Sequence, residues 1–122
     1  MTNVIPLTTS YFLEKIYNYE LNPADWIYLG RIPGIIMFHS PSSNFCADLE
    51  PALEIIAKRG KGKYNVYTVN ADAEKRLASI FMVDNIPTFY LCPMKGDPTI
   101  VKGTININEL TSLISKIVIP RF

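Results

Sequence analysis

The stretch MFHSPSSNFCADLEP, Met37 to Pro51, carries the chain from one kind of element into another. Its first residues complete an apolar run, Gly34-Ile35-Ile36-Met37-Phe38, bounded by turn signals. That pattern suits a strand covered on both faces, as in the middle of an α/β sheet. Beyond the small polar residues a helix is predicted over Ser43 to Arg59, with Cys46, Leu49, Leu53 and Ile56 spaced for one buried stripe. Pro51 falls inside it and is expected to kink it, because the ring removes a backbone donor and crowds the preceding turn. Ser43-Asn44-Phe45-Cys46 has the outline C-x-x-C with serine in first place. Two readings stand open: a thiol site without its first thiol, or a serine N-cap three residues before a buried cysteine.

Upstream, Val4-Ile5-Pro6-Leu7 is short and holds a proline, which marks an edge strand. Thr8-Thr9-Ser10 offers N-cap oxygens to a helix over Tyr11 to Tyr19, with Phe12, Ile16 and Tyr19 along one face. Leu21 to Pro33 contains Asn-Pro, Gly-Arg and Pro-Gly and reads as a loop pinned by Trp26 and Tyr28. Downstream, Tyr64 to Val69 is a strand, and Asp72 is expected to cap a helix reaching Met82 and burying Leu77, Ile80 and Phe81. Strands over Pro87 to Cys92 and Thr99 to Lys102 are joined by a connection too short for a parallel crossover, so they form an antiparallel hairpin. The last helix, Asn106 to Val118, starts with Asn106 and Glu109 as a capping-box-like pair and turns Ile107, Leu110, Ile114 and Ile117 inward. This order predicts an α/β fold: a central mixed sheet, parallel strands plus a C-terminal antiparallel hairpin, flanked by helices on both faces. Without repeats or linkers, residues 1–122 are expected to form one domain.

Hydrophobic residues at 48% and charged ones at 19% describe a globular chain, not a disordered tail. Net charge is +1, and Lys58, Arg59, Lys61 and Lys63 form the one notable basic cluster. It straddles Gly60 and Gly62, where a helix should end and cations suit the dipole. So few phosphate contacts exclude nucleic acid as an expected partner. No run approaches the ~18 apolar residues of a membrane span, and the N-terminus has no charged n-region. A soluble monomer away from membranes is expected. Its expected place is the cytoplasm, or the periplasm if a signal peptide has been removed. Two cysteines make no disulfide framework, and a single histidine with no close carboxylate makes no metal site. No cofactor is expected.

Several landmarks at shared spacing resemble the thioredoxin family over nearly the whole chain. They are the strand ending in Phe38, the window Ser43 to Cys46, and Pro51 five residues after it. They continue with Val-Asn-Ala-Asp at 69 to 72, Ile86-Pro87-Thr88 at the family's cis-proline, and Gly103 at the glycine beside its peptide groove. The segment from Asn22-Pro23 to Gly30 and the turn Pro93 to Pro98 look more like Bacteroides-type thioredoxins than like the shortest members.

The resemblance implies a thiol–disulfide reaction in which a first thiolate attacks a substrate disulfide and a second thiol resolves the mixed disulfide. Ser43 stands where the nucleophile belongs, and a hydroxyl cannot form a disulfide. Neighbouring positions depart as well: Ser42 replaces the family's tryptophan, and Asn44-Phe45 replace Gly-Pro. Met37 stands at the family's buried acid and Thr68 at its lysine, groups that assist proton transfer at the resolving thiol. A deliberate Cys-to-Ser exchange would leave those neighbours intact, so natural divergence is expected; a cysteine at 43 would restore a disulfide reductase. The expected function is peptide or protein binding in redox pathways without dithiol turnover. Its alternative is a monothiol enzyme acting through Cys46, whose thiol is expected near or above the reference pKa of ~8.5. The resemblance also implies an extended client in a groove beside cis-Pro87, lined by Ser42, Asn44, Phe45, Ile86, Pro87, Thr88 and Gly103. Cys92 lies five residues beyond Pro87, roughly 16 Å along a strand and past disulfide reach, so it is expected to be a strand residue. His39 is expected to be a packed, half-exposed substitute for an aromatic.

Overall fold

The computed structural model describes residues 3–103 and 105–118. The side chains at 44–48, 117 and 118 lie outside that description, and with them the expected roles of the Asn44, Phe45, Cys46 and Ile117 side chains.

The strands are β1 (Val4–Pro6), β2 (Gly34–His39), β3 (Asn65–Asn70), β4 (Thr88–Cys92) and β5 (Thr99–Lys102). They form one mixed sheet in the order β1-β3-β2-β4-β5. β1 and β2 run parallel to β3, while β4 is antiparallel to both β2 and β5. The short proline-bearing β1 is indeed at an edge, where a missing N–H costs no ladder bond. β2 has neighbours on both sides and helices over both faces, so Gly34 through Phe38 are all buried.

Side chains alternate along each strand, and the core divides into two clusters accordingly. On one face Ile35, Met37, Val66 and Phe89 pack under Leu53 and Ile56 of α2 (Asn44–Arg59) and Leu110 of α4 (Ile107–Leu113). On the other, Ile36, Phe38, Val69 and Tyr90 pack under Phe12 of α1 (Thr9–Lys15) and Leu77 of α3 (Lys75–Ile80). Each such aliphatic or aromatic side chain contributes about 1.5–3 kcal/mol of transfer free energy. The loop before β2 is pinned as the sequence implied. Trp26 lies 4.6 Å from Tyr17, ring to ring, and the Tyr28 hydroxyl donates to the Ile32 carbonyl at 2.7 Å.

Three helices differ from their sequence reading. α1 starts at Thr9, two residues early, because Thr8 supplies the cap: its hydroxyl accepts from the Tyr11 N–H at 3.1 Å. α3 begins at Lys75 rather than after Asp72, since Asn70 Oδ1 takes the N–H groups of Asp72 and Ala73 into a turn. Its shifted phase buries Leu77 and Ala78 and leaves Ile80 at 39% exposure, against the expectation for Ile80. The final helix keeps its Asn106 cap, which accepts from the Glu109 N–H at 2.8 Å. At Ile114 it widens into a π-helical turn that runs to Val118, a change no local pattern announces.

Candidate functional site

The register Phe38↔Thr88 places the exit of β2 and the entry of β4 at one end of the sheet. The loop from Ser40 to Ser43 and the segment Ile86-Pro87 therefore lie at the same end of the sheet. That loop is a tight turn: the Ser43 N–H donates to the Ser40 carbonyl at 3.0 Å, with Pro41 in the position that favours its fixed φ. Ser40 is buried and donates to Asp72 Oδ2 at 2.6 Å, and the Ser42 hydroxyl lies 2.8 Å from Ser40 Oγ. Asp72, read from sequence as a helix cap, instead fastens the turn in front of α2 to the end of β3. Ser43 then directly precedes α2, the position at which a serine caps a helix, and the helix continues through Pro51.

Across from this turn the Ile86–Pro87 peptide bond is cis. Pro87 is buried, and its carbonyl accepts from the Gly103 N–H at 2.8 Å. Gly103 holds φ 85, a left-handed value that glycine adopts without steric cost. Thr88 is buried, its hydroxyl donating to the Asn85 carbonyl. The exposed ion pair of Lys102 and Asp84, at 3.2 Å, ties the loop before Pro87 to β5 and holds the Asp84 carboxyl below its usual range. Ile86 itself is half-buried, and among the described residues nothing bonds its backbone N–H or C=O. Ser42, Ser43, Ile86, Pro87, Thr88 and Gly103 thus gather at one end of the sheet, although Pro87 and Thr88 show little surface of their own.

Behind the turn, Met37 is fully buried and pairs with Thr68 in register. No ionisable group stands at either position, so this part of the core offers no proton acceptor. His39, half-buried at the strand exit, has its pKa lowered by burial, with Glu50 and Asp72 acting in the opposite direction. Cys92 pairs with Gly34 at the far end of β2 from the Ser40 turn. It is fully buried, its thiol pushed up to about 12 by desolvation, and therefore inert at neutral pH. Among the described residues no three His, Cys, Asp or Glu side chains gather as a metal site, and no helix is long and apolar enough to cross a membrane. Sequence reasoning missed Ser40 as the residue that anchors the turn; its partner is 32 positions away, and no local signal marks it.

Comparison with known proteins places the chain among sequences of one kind. A family model described as Thioredoxin matches residues 25–116. A thioredoxin of Borreliella burgdorferi is 28% identical over 110 residues, covering 90% of this chain and 93% of that protein. A putative protein disulfide-isomerase of Dictyostelium discoideum is 27% identical over 115 residues, 89% of this chain but 25% of its own length. Protein disulfide-isomerase 2-3 of Arabidopsis thaliana is 31% identical over 85 residues, 69% of this chain and 19% of that one.

Proposed function

Since the chain belongs to the thioredoxin family, we propose that Ser43 to Cys46 is the family's two-thiol window with its nucleophile gone. In this reading the protein holds an extended peptide or protein client and does not reduce disulfides by a two-thiol cycle. The observation that carries the reading is that Ser43, before the first turn of α2, and Ile86, whose backbone nothing bonds among the described residues, lie at the same end of the sheet. A serine oxygen cannot enter disulfide exchange, whereas free backbone groups beside a fixed strand end can add an extended segment as a further strand. The burial of Met37 and the neutral Thr68 support the same conclusion, because neither of these two positions supplies an acid or base to take a proton from a resolving thiol.

Dithiothreitol-driven insulin reduction tests the first half. The native chain should not exceed the uncatalysed rate, and Ser43→Cys should raise it; turnover by the native chain overturns the reading. Titration with a reduced, unfolded polypeptide tests the second half, with amide shifts expected at Ile86 and Gly103. The monothiol alternative is separated by alkylation, because Cys92 is buried and protonated and any labelling of the folded chain near pH 8 must fall on Cys46. Rapid labelling there would favour monothiol exchange with small thiols.

A further inference from the structure

Three contacts in front of α2 decide which way a hydroxyl proton points. Ser40 is buried and gives its proton to Asp72 Oδ2 at 2.6 Å. A hydroxyl has one proton to donate and two lone pairs to fill. Both lone pairs of Ser40 Oγ serve Ser42, whose N–H donates at 3.3 Å and whose Oγ lies 2.8 Å away. With the Ser40 proton already committed to Asp72, the bond between the two hydroxyls has one direction. Ser42 donates and Ser40 accepts. Asp72 thus orients the Ser42 hydroxyl through Ser40 and leaves it an acceptor only.

Ser42 is exposed, and among the described residues no further group bonds its Oγ. Its lone pairs are therefore open at the end of the sheet where nothing described bonds the Ile86 backbone. The carboxylate behind this acceptor has no cation of its own. Among the described residues no lysine or arginine pairs with Asp72, and Lys102 is taken by Asp84. Burial lowers the pKa of His39, so that ring brings no charge at neutral pH. In a chain of hydrogen bonds each one polarises the next, so the carboxylate makes Ser42 Oγ a better acceptor. A client carboxylate would meet lone pairs and like charge here. A neutral amide would make an ordinary hydrogen bond, whereas an ammonium or guanidinium would make a charge-assisted one, about twice as strong. On the reading that this end of the sheet holds an extended client, we propose that Ser42 selects a basic side chain on that client. Ser40 and Asp72 are its positioning residues.

The test is an NMR titration of the full chain with unstructured peptides that differ in one residue: lysine, norleucine or glutamate. That residue is placed in turn at each of the middle positions, and affinity is read from amide shifts at Ile86 and Gly103. In its best register the lysine peptide should bind about fivefold tighter than the norleucine peptide, with glutamate weakest. Added salt should narrow the gap by screening. Ser42→Ala should bring the lysine peptide down to the norleucine level, and Ser42→Thr, which keeps a hydroxyl, should retain the preference. Asp72→Asn keeps an oxygen for Ser40 but removes the charge, and should shrink both the preference and its salt dependence. Equal affinity for lysine and norleucine in every register, or a lysine preference that survives Ser42→Ala, overturns the proposal and leaves the client reading standing. No shift at Ile86 or Gly103 with any of the peptides overturns both. If Asp72→Asn fails to melt cooperatively, the exposed Ser42→Ala alone decides.

Discussion

His39 occupies the exit of β2 half-buried, and burial holds its pKa below the ordinary 6.5 while Glu50 and Asp72 pull it back up. The folded chain therefore holds this proton less tightly than the unfolded chain does. By linkage, the neutral imidazole costs nothing above the unfolded value, and stability is lost as pH falls from there toward the lowered folded value. Thermal midpoints are expected to rise with pH up to the ordinary histidine value of about 6.5 and to level off above it. His39→Gln should flatten that rise. A midpoint that falls with pH, or a slope unchanged in the variant, would show that burial of His39 is not the cause. The sequence placed His39 correctly at a strand exit, because strand ends follow from apolar runs. It could not show which carboxylates approach the ring, since Asp72 comes from another strand end. Ser40, Ser42 and Asp72 were illegible for the same reason: their bonds join residues brought together by the β2–β3 pairing.

Helix termini show the limit of local patterning more sharply. Glu74 sits at the N-cap position of α3 but makes no cap bond there. Its Oε1 instead accepts from the Thr9 N–H at 2.8 Å and the Thr9 hydroxyl at 3.0 Å, at the start of α1 and 65 residues away in sequence. A carboxylate at a helix N-terminus meets both free N–H groups and the positive end of the dipole. The outcome is one helix capped from outside and another beginning without a side-chain cap. The Thr8 cap and the Asn70 turn set where these helices begin, and the Glu74–Thr9 contact joins the two starts across 65 residues, which no local pattern marks. Glu74→Ala is expected to cost about 1.5–3 kcal/mol, as for a hydrogen bond to a charged group. Glu74→Gln should recover part of that through its neutral oxygen. Urea unfolding measures both, and a loss under about 0.3 kcal/mol for Glu74→Ala would mean that the contact carries no weight. Strands were easier to read: the run Gly34 to Phe38 and the alternation in Thr99 to Lys102 fix their elements without help from distant residues.

At the scale of the molecule, the strand directions were legible because connection lengths constrain them: long helical crossovers set β1, β2 and β3 parallel, and the short Pro93 to Pro98 turn reverses β5. The site was legible in position, since β2 and β4 must end together, but its cross-links were not. The same alternation that makes β2 readable also separates the interior into two cores. Ile35 belongs to the cluster under α2 and α4, whereas Ile36, the next residue, belongs to the cluster under α1 and α3. Both are essentially fully buried, at 0% and 1% exposure. Ile35→Val and Ile36→Val should each cost about 0.5–1.5 kcal/mol, the usual range for losing one buried methylene. Although the residues are adjacent in sequence, their side chains share no packing partner in either cluster. The double variant should therefore lose the sum of the two within about 0.5 kcal/mol, as independent sites do. Equilibrium denaturation of the two single variants and the double variant decides the matter. A coupling above about 1 kcal/mol would mean that strain passes through the β2 backbone, and that the two faces of the sheet are one core rather than two.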